Sequence, residues 1–209
     1  MSHKPYGPYE KYFKRPLDII CAALALIVLW PVLLVVAILV RKNLGAPVLF
    51  RQERPGKNGR IFSLLKFRTM LPPKGDVANP DSDEERLTPF GKKLRATSLD
   101  ELPELINILK GDMSVVGPRP LLKQYMERYS ETQARRHEVR PGFTGLAQVN
   151  GRNSISWEEK FDWDVKYVDR ITFIGDVKII FATLRTVIRR EGINGNNSET
   201  MTEFMGSDK

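Results

Sequence analysis

Cysteine and histidine are almost missing from this chain. Of 209 residues, one is cysteine (Cys21) and two are histidine (His3 and His137). One cysteine cannot build a disulfide framework or a cysteine zinc site within the chain, and so few histidines exclude a histidine-rich metal site. Such usage suits a reducing compartment. No internal repeat is visible. Acidic charge is in deficit too: 33 Lys+Arg stand against 25 Asp+Glu, a formal net charge of +8. A basic chain favours polyanions, whether nucleic acid, acidic lipid or phosphorylated small molecules. Nucleic acid fits least, because no basic helix or aromatic RNA-binding motif stands out.

What is present is one long apolar run. Ile19 to Val40 holds twenty-two residues without a charge. As a helix it rises about 33 Å, enough to cross a bilayer. A cleaved signal peptide fits poorly, since the run exceeds the usual ~7–15 residues and no small-x-small site follows. Pro31 near the centre removes a donor and crowds the carbonyl of Ile27, at about 3 kcal/mol in an ordinary helix interior. Lys4, Lys11, Lys14 and Arg15 precede the run; Arg41 and Lys42 follow it. Positive flanks prefer the cytoplasm. Spanning sends one flank outward, whereas a re-entrant helix bent at Pro31 keeps both inside. Each leg would be roughly 16 Å, about half the hydrocarbon thickness. Asp18 would sit at the entrance beside Lys14 and Arg15. Membrane helices tolerate proline, so a kinked single-pass anchor is the competing reading.

The chain therefore divides into a basic N-terminal tail (1–16), a re-entrant membrane helix (17–42), a cytoplasmic domain (43–191) and a polar C-terminal tail (192–209). The expected fold class is α+β and mainly helical, with a small β-hairpin and amphipathic interfacial helices around a cytoplasmic active site. "PVLFRQERPGKNGRIFSLLKFRTM" reads as the hairpin, turning at "PGKNG". Alternate strand residues share a face, so Lys66 and Arg68 are expected to point the same way. "PPKGDVANPDSDEE", from Pro72 to Glu85, reads as a mobile surface loop. In "TPFGKKLRATS", Thr88 is the N-cap, Pro89 the first helical residue, and Lys92, Lys93 and Arg95 make a basic face.

"SLDELPELINILKG" carries Leu102, Leu105, Ile106 and Leu109 at helical spacing, with Gly111 as the stop. Its start has two readings: a capping box of Ser98 with Glu101, or Pro103 as first helical residue. Either way Asp100 and Glu101 stand at a helix N-terminus, where unpaired amides favour ionised Asp100. Beyond it, "GDMSVVGPRP" presents Arg119 between prolines, and 121–139 reads as mostly helical. "RPGFTGLAQVNGRN" reads as a loop carrying Arg140, Gln148, Asn150 and Arg152. Ser156 and Glu159 form a second capping box, and "DVKIIFATLRTVIRR" a last amphipathic helix.

Two adjacent acids, dispersed cations and a membrane insertion suit transfer of a phosphorylated group onto a lipid phosphate. A carboxylate can attack phosphorus and form an acyl-phosphate. A second carboxylate holding magnesium, with arginines, would neutralise the anionic substrates. An acid pair alone is more often a helix-stabilising first turn. The alternative to an enzyme is a non-catalytic basic module binding anionic lipid.

"KRPLD" before the proline-broken run, then "KFRTM", "SLDELPELINILKGDMSVVGPRP", "RPGFTGLAQVNGR" and "WEEKFDWDVKYV" resemble the bacterial sugar transferases, in particular the small monotopic phosphoglycosyl transferases. The resemblance runs from about Phe13 to Gly192. It implies transfer of a sugar 1-phosphate from a UDP-sugar to undecaprenyl phosphate on the cytoplasmic face of the bacterial inner membrane, starting a surface glycan. It further implies Asp100 as nucleophile and Glu101 as a ligand of Mg2+. Lys66, Arg95 and Arg119 match basic positions near the site, Asp176 an acidic one, and Pro31 the helix-breaking proline; Arg68, on the strand face of Lys66, is expected with them in the substrate- and phosphate-binding set. The tail "GINGNNSETMTEFMGS" resembles members using UDP-di-N-acetylbacillosamine; other members use galactose, glucose or N-acetylated sugars.

Overall fold

The structure, a computed structural model, describes residues 3–72, 83–151, 155–189 and 203–206. It is mainly helical, with two small two-stranded sheets among the described residues. After a π-helical turn at Tyr9–Phe13 comes α1, Lys14–Leu44, with Pro31 inside it. Together they make one stretch, Tyr9–Leu44, long and apolar enough to cross a membrane.

The residues of α1 are apolar all round, yet only one face is packed. Asp18, Ala22, Val36, Val40 and Leu44 are buried, with Leu29 and Leu33 between them partly covered. These positions recur every three or four residues, a single helical stripe running past Pro31. The first half packs on Leu64, Leu105, Ile108 and Met113, and the second on Phe67 and Leu94. The opposite face leaves Leu24, Ile27, Val28, Trp30, Leu34, Val35 and Ile38 exposed. A continuous apolar surface of that size suits lipid.

Polar contacts hold both ends of α1. Asp18 accepts from Ser114 Oγ (2.7 Å) and from the Val115 amide (3.0 Å). Arg15 donates to the carbonyls of Ile108 (2.8 Å) and Leu109 (3.2 Å). At the far end Arg68 donates to the carbonyls of Ala46 (2.8 Å) and Leu44. The Ile108, Leu109 and Leu44 carbonyls belong to the last turns of α4 and α1, where a helix leaves carbonyls without intrahelical partners; Ala46 lies just beyond the end of α1.

The hairpin forms as its turn chemistry directs. Strand β1, Leu49–Pro55, pairs antiparallel with β2, Ile61–Phe67, in the register Leu49↔Phe67 to Pro55↔Ile61. Asn58 and Gly59 turn it in positive φ (56° and 72°). Because β2 ends at Phe67, the alternation pairing Lys66 with Arg68 stops there; Arg68 turns back to α1, correcting the expectation that both serve one face. Residues 73–82 of the expected loop lie outside the described residues, and its last three open a short helix, α2, Asp83–Arg86.

Next come α3, Pro89–Ala96, and α4, Glu104–Lys110, which ends at left-handed Gly111. The buried face of α4 is Glu104, Leu105, Asn107 and Ile108, while Leu109 points outward; the expected leucine stripe is rotated. The reason is polar. Asn107 Oδ1 accepts from the Leu65 amide (3.0 Å), and its Nδ2 donates to the Ser63 carbonyl (2.8 Å). One side chain thus satisfies the free edge of β2 and docks α4 on it.

Strand β3, Ser114–Val116, pairs parallel with β4, Gly142–Thr144. The stretch expected as a loop supplies this strand and a short helix. A Cβ on Gly142 would lie 2.0 Å from the Gly117 amide, so this glycine permits close backbone approach. Residues 121–139, expected as mostly helical, break into a 3-10 turn (Lys123–Arg128), the helical turn α5 (Glu131–Ala134) and another 3-10 turn (Arg135–His137). Tyr129 and Ser130 are extended, and Ser130 opens a new capping box with Gln133.

The helices α6 (Leu146–Val149), α7 (Trp157–Asp169) and α8 (Phe173–Arg189) complete the fold. The Ser156–Glu159 capping box opens α7 as expected. Arg152 lies outside the described residues.

Neither terminus is a loose tail where it is described. His3 contacts Glu10 and Glu138, and Tyr9 and Lys14 donate to Asp176. Phe204, 1% exposed, inserts among Tyr125, Trp157 and Phe161. Outward on α8, Phe173, Ile174, Phe181 and Leu184 extend the apolar surface, joined to the start of α1 by the Tyr9–Phe173 ring contact (5.6 Å). Replacing Asn107 by leucine strands the Leu65 amide and the Ser63 carbonyl. Asn107→Leu is expected to destabilise the protein by about 2–5 kcal/mol, read as a lowered melting midpoint in lipid nanodiscs.

Candidate active site

Three pieces of chain converge at the start of α4. The first is α3. Thr88 caps it by accepting from the Gly91 amide (3.1 Å), as its sequence signature predicts. A Cβ on Gly91 would lie 1.9 Å from the Thr69 carbonyl, so glycine lets α3 press against the chain leaving β2. That contact brings Arg95 Nε within 3.0 Å of Thr69 Oγ1. Lys92 and Lys93 face outward.

The second piece is the turn carrying the two acids. Ser98 is left-handed (φ 55°) and caps nothing with its side chain; Leu99–Glu101 form a 3-10 turn, and α4 begins only at Glu104. Neither expected start forms, since Pro103 occupies the cap position. Glu101 has stronger partners than a backbone amide: Lys66 Nζ donates to its Oε1 (2.7 Å), and Arg119 donates to the same oxygen. Charge-assisted bonds of this kind are roughly twice as strong as neutral ones.

The third piece is the turn after β3, where Arg119 stands between Pro118 and Pro120. Its side chain remains 40% exposed while one end grips Glu101. Lys66 arrives from the end of β2. On the same hairpin face, two and four residues from Phe50, its cross-strand partner, lie Gln52 and Arg54. Arg54 donates to the Pro120 carbonyl (3.4 Å) and to Gln52 (2.6 Å).

Burial and charge set the ionisation. Asp100 is 8% exposed. Burial, then the neighbouring Glu101, pushes its pKa up to about 6, against the pull of Lys66, Arg95 and Arg119. The expectation that helix amides hold Asp100 low is thereby corrected: desolvation outweighs them, though the carboxyl is still mostly ionised at pH 7. Burial also acts upward on Glu101, but Arg119 and Lys66 outweigh it and hold this carboxylate well below its usual range.

Glu104, absent from the sequence-based set, is the third acid. It is 2% exposed, and its Oε1 lies 3.2 Å from Lys66 Nζ without a hydrogen bond. Burial and Glu101 push its pKa up to about 7. Arg54 and Lys160 also escaped notice; burial, then Arg119, lowers them to about 10 and about 8. Strand alternation could have found Arg54. Nothing local marks Glu104, whose helical position reads as an ordinary first-turn acid.

Asp100, Glu101, Lys66, Arg95 and Arg119 are thus brought together. Arg68 and Asp176 are not. Arg68 ends α1, and Asp176 accepts from Tyr9 (2.7 Å), Lys14 (2.6 Å) and Tyr167 (2.8 Å). Pro31 lies exposed on the lipid-facing side of α1. Among the described residues no group of three or more His, Cys, Asp or Glu side chains stands ready to enclose a metal ion. Magnesium seldom needs one, since it binds through one or two carboxylates with waters and substrate phosphates. Glu101 could serve as one such carboxylate, with its Oε1 already shared by Lys66 and Arg119.

Known proteins share this arrangement of sequence. A family model described as bacterial sugar transferase matches residues 9–190. An uncharacterised sugar transferase of Bacillus subtilis, EpsL, is 50% identical over 93% of this chain and 96% of its own length. The undecaprenyl-phosphate galactose phosphotransferase of Salmonella typhimurium is 36% identical over 88% of the chain, which spans 42% of that longer protein. A UDP-glucose:undecaprenyl-phosphate glucose-1-phosphate transferase of Klebsiella pneumoniae is 40% identical over 86% of the chain and 41% of its own length. With the match covering most of its residues, the chain belongs to the bacterial sugar transferase family.

Proposed function

We propose that this protein transfers a sugar 1-phosphate from a UDP-sugar to undecaprenyl phosphate, releasing UMP. The observation that carries the reading is a buried, ionisable Asp100 beside Lys66, Arg95 and Arg119, on a domain whose longest helix is apolar on its outer face. An Asp100 oxygen attacks the β-phosphorus of the donor. The bond from that phosphorus to the bridging oxygen breaks, and UMP leaves with the electron pair. An oxygen of the lipid phosphate then attacks the same phosphorus and expels Asp100 as carboxylate. The product is a polyprenyl diphosphate-linked sugar, and splitting one displacement into two is what a carboxylate nucleophile offers.

Arg119 and Lys66 suit the phosphates, because the planar fork of arginine can bond two phosphate oxygens at once. Glu101 would hold Mg2+, which when bound supplies further neutralisation of the diphosphate. The names of the relatives support both substrates, and one of them names exopolysaccharide production. Those names include galactose and glucose.

We also read α1 as re-entrant, with its turning point at Pro31 and the catalytic domain on the cytoplasmic face of the inner membrane. Both halves of α1 bury side chains on one and the same domain. A straight crossing would drag that domain into the hydrocarbon, whereas a shallow insertion keeps Lys14, Arg15, Arg41 and Lys42 on one side.

The following outcomes are expected. Intact-protein mass spectrometry after addition of a panel of UDP-sugars will show one sugar phosphate added with the true donor. Asp100→Asn will lack the adduct and lose about 10³-fold or more in UMP release; normal turnover by that variant would remove Asp100 as nucleophile, and no UMP from the wild type would favour a lipid-binding module. With divalent cations chelated, the Asp100 carboxyl will titrate near pH 6 by NMR. It is ionised above that point and protonated below it. Because Lys66 lowers this pKa, Lys66→Met is expected to move the midpoint upward. In intact cells a cysteine at position 5, with Cys21 replaced by serine, will be shielded from a membrane-impermeant thiol reagent; labelling there means that α1 spans.

A further inference from the structure

Arg119 lies between two residues that lack a backbone N–H to donate. Its position is instead held from behind by Arg136. This arginine, on the 3-10 turn Arg135–His137, is 3% exposed. Its Nε and Nη2 donate to Asp164 Oδ2 (3.0 and 2.7 Å). Nη2 also donates to the backbone carbonyl of Arg119 (2.7 Å), and Nη1 to the Tyr129 hydroxyl (3.2 Å). The guanidinium stands over the rings of Tyr129 and Phe161, 5.8 and 5.6 Å from their centroids.

Glu203 and Phe204 close this shell. The Phe204 ring lies 5.0 Å from Phe161 and stacks on Tyr129 at 5.9 Å. Arg128 fixes it by donating to Glu203 Oε1 (2.8 Å) and to the Phe204 carbonyl. A buried ion pair rarely stabilises more than apolar packing would, because both charges lose their water. What it supplies is direction: a planar donor, locked by Asp164 and by rings on its face, aimed at one carbonyl.

We propose that the Arg136–Asp164 pair, sealed by Phe204, is a positioning device for Arg119, setting the reach of that guanidinium toward Glu101 and the donor phosphate. The C-terminal residues 203–206 then act on catalysis through Arg119, although their sequence position suggests a tail. The inference rests on Arg119 serving the proposed transfer, and UMP release by the wild type tests that reading separately.

The experiment is a double-mutant cycle on the full chain in nanodiscs, with the donor that the wild type turns over. Phe204→Ala is expected to lower kcat/KM about tenfold, mainly through KM, as for residues sharing one hydrogen-bond network. In an Arg119→Ala background the same change is expected to cost less than about twofold, because the coupled partner is gone. Phe204→Leu, which refills the shell, is expected to recover most of the loss. An equal loss in both backgrounds, or none with Arg119 present, overturns the proposal. If Phe204→Ala fails to fold, Tyr129→Phe, which removes only the hydroxyl contacting Arg136, goes through the same cycle. A loss confined to the chain with Arg119 intact supports the proposal there too, and an equal loss in both backgrounds or none overturns it.

Discussion

A single carboxylate oxygen, Oε1 of Glu101, receives both Lys66 and Arg119. Lys66 comes from the hairpin, Arg119 from the turn after β3, and Glu101 from the turn before α4. These segments are distant in sequence; Asn107 and the apolar packing of Leu64, Leu105 and Ile108 bring β2 and α4 together, and opposite charge then joins the three side chains. The bond network leaves Asp100 beside the pair, buried and without a hydrogen-bond partner of its own among the described residues. Its neighbours Lys66, Arg95 and Arg119 restrain a pKa that burial raises, so the carboxyl stays mostly ionised near neutrality. That state suits a nucleophile: charged, yet poorly solvated.

The site is placed in space by α1. A helix apolar all round has no amphipathic preference of its own. Packing selects its inner face, and Asp18, Arg15 and Arg68 tie its ends to backbone groups of the domain. The remaining apolar surface continues through Phe173 to α8. The cationic site therefore belongs to the same body as a broad lipid-facing surface.

Local signals were legible wherever short-range rules govern. The Thr88 and Ser156 caps, the Gly111 stop and the hairpin all depend on residues within a few positions of each other. Readings failed where a distant group intervened. The Ser98–Glu101 box does not form because two cations outcompete an amide. The leucine stripe of α4 is rotated because Asn107 answers the edge of β2. The glycines of "RPGFTG" permit a parallel strand rather than mark a loop, a difference visible only once Gly117 lies against Gly142. Arg68 looked like a partner of Lys66 because alternation was carried one residue past the end of the strand.

By itself the sequence determined the apolar run, its basic flanks, the α+β character and the adjacency of Asp100 and Glu101. Each follows from composition or near-neighbour spacing, which needs no knowledge of contacts. Only the tertiary structure decided which acids are buried, which cations they share, that Glu104 joins them, and that Phe204 closes the shell behind Arg119. Those properties depend on desolvation and on distances between remote residues, which no local pattern encodes.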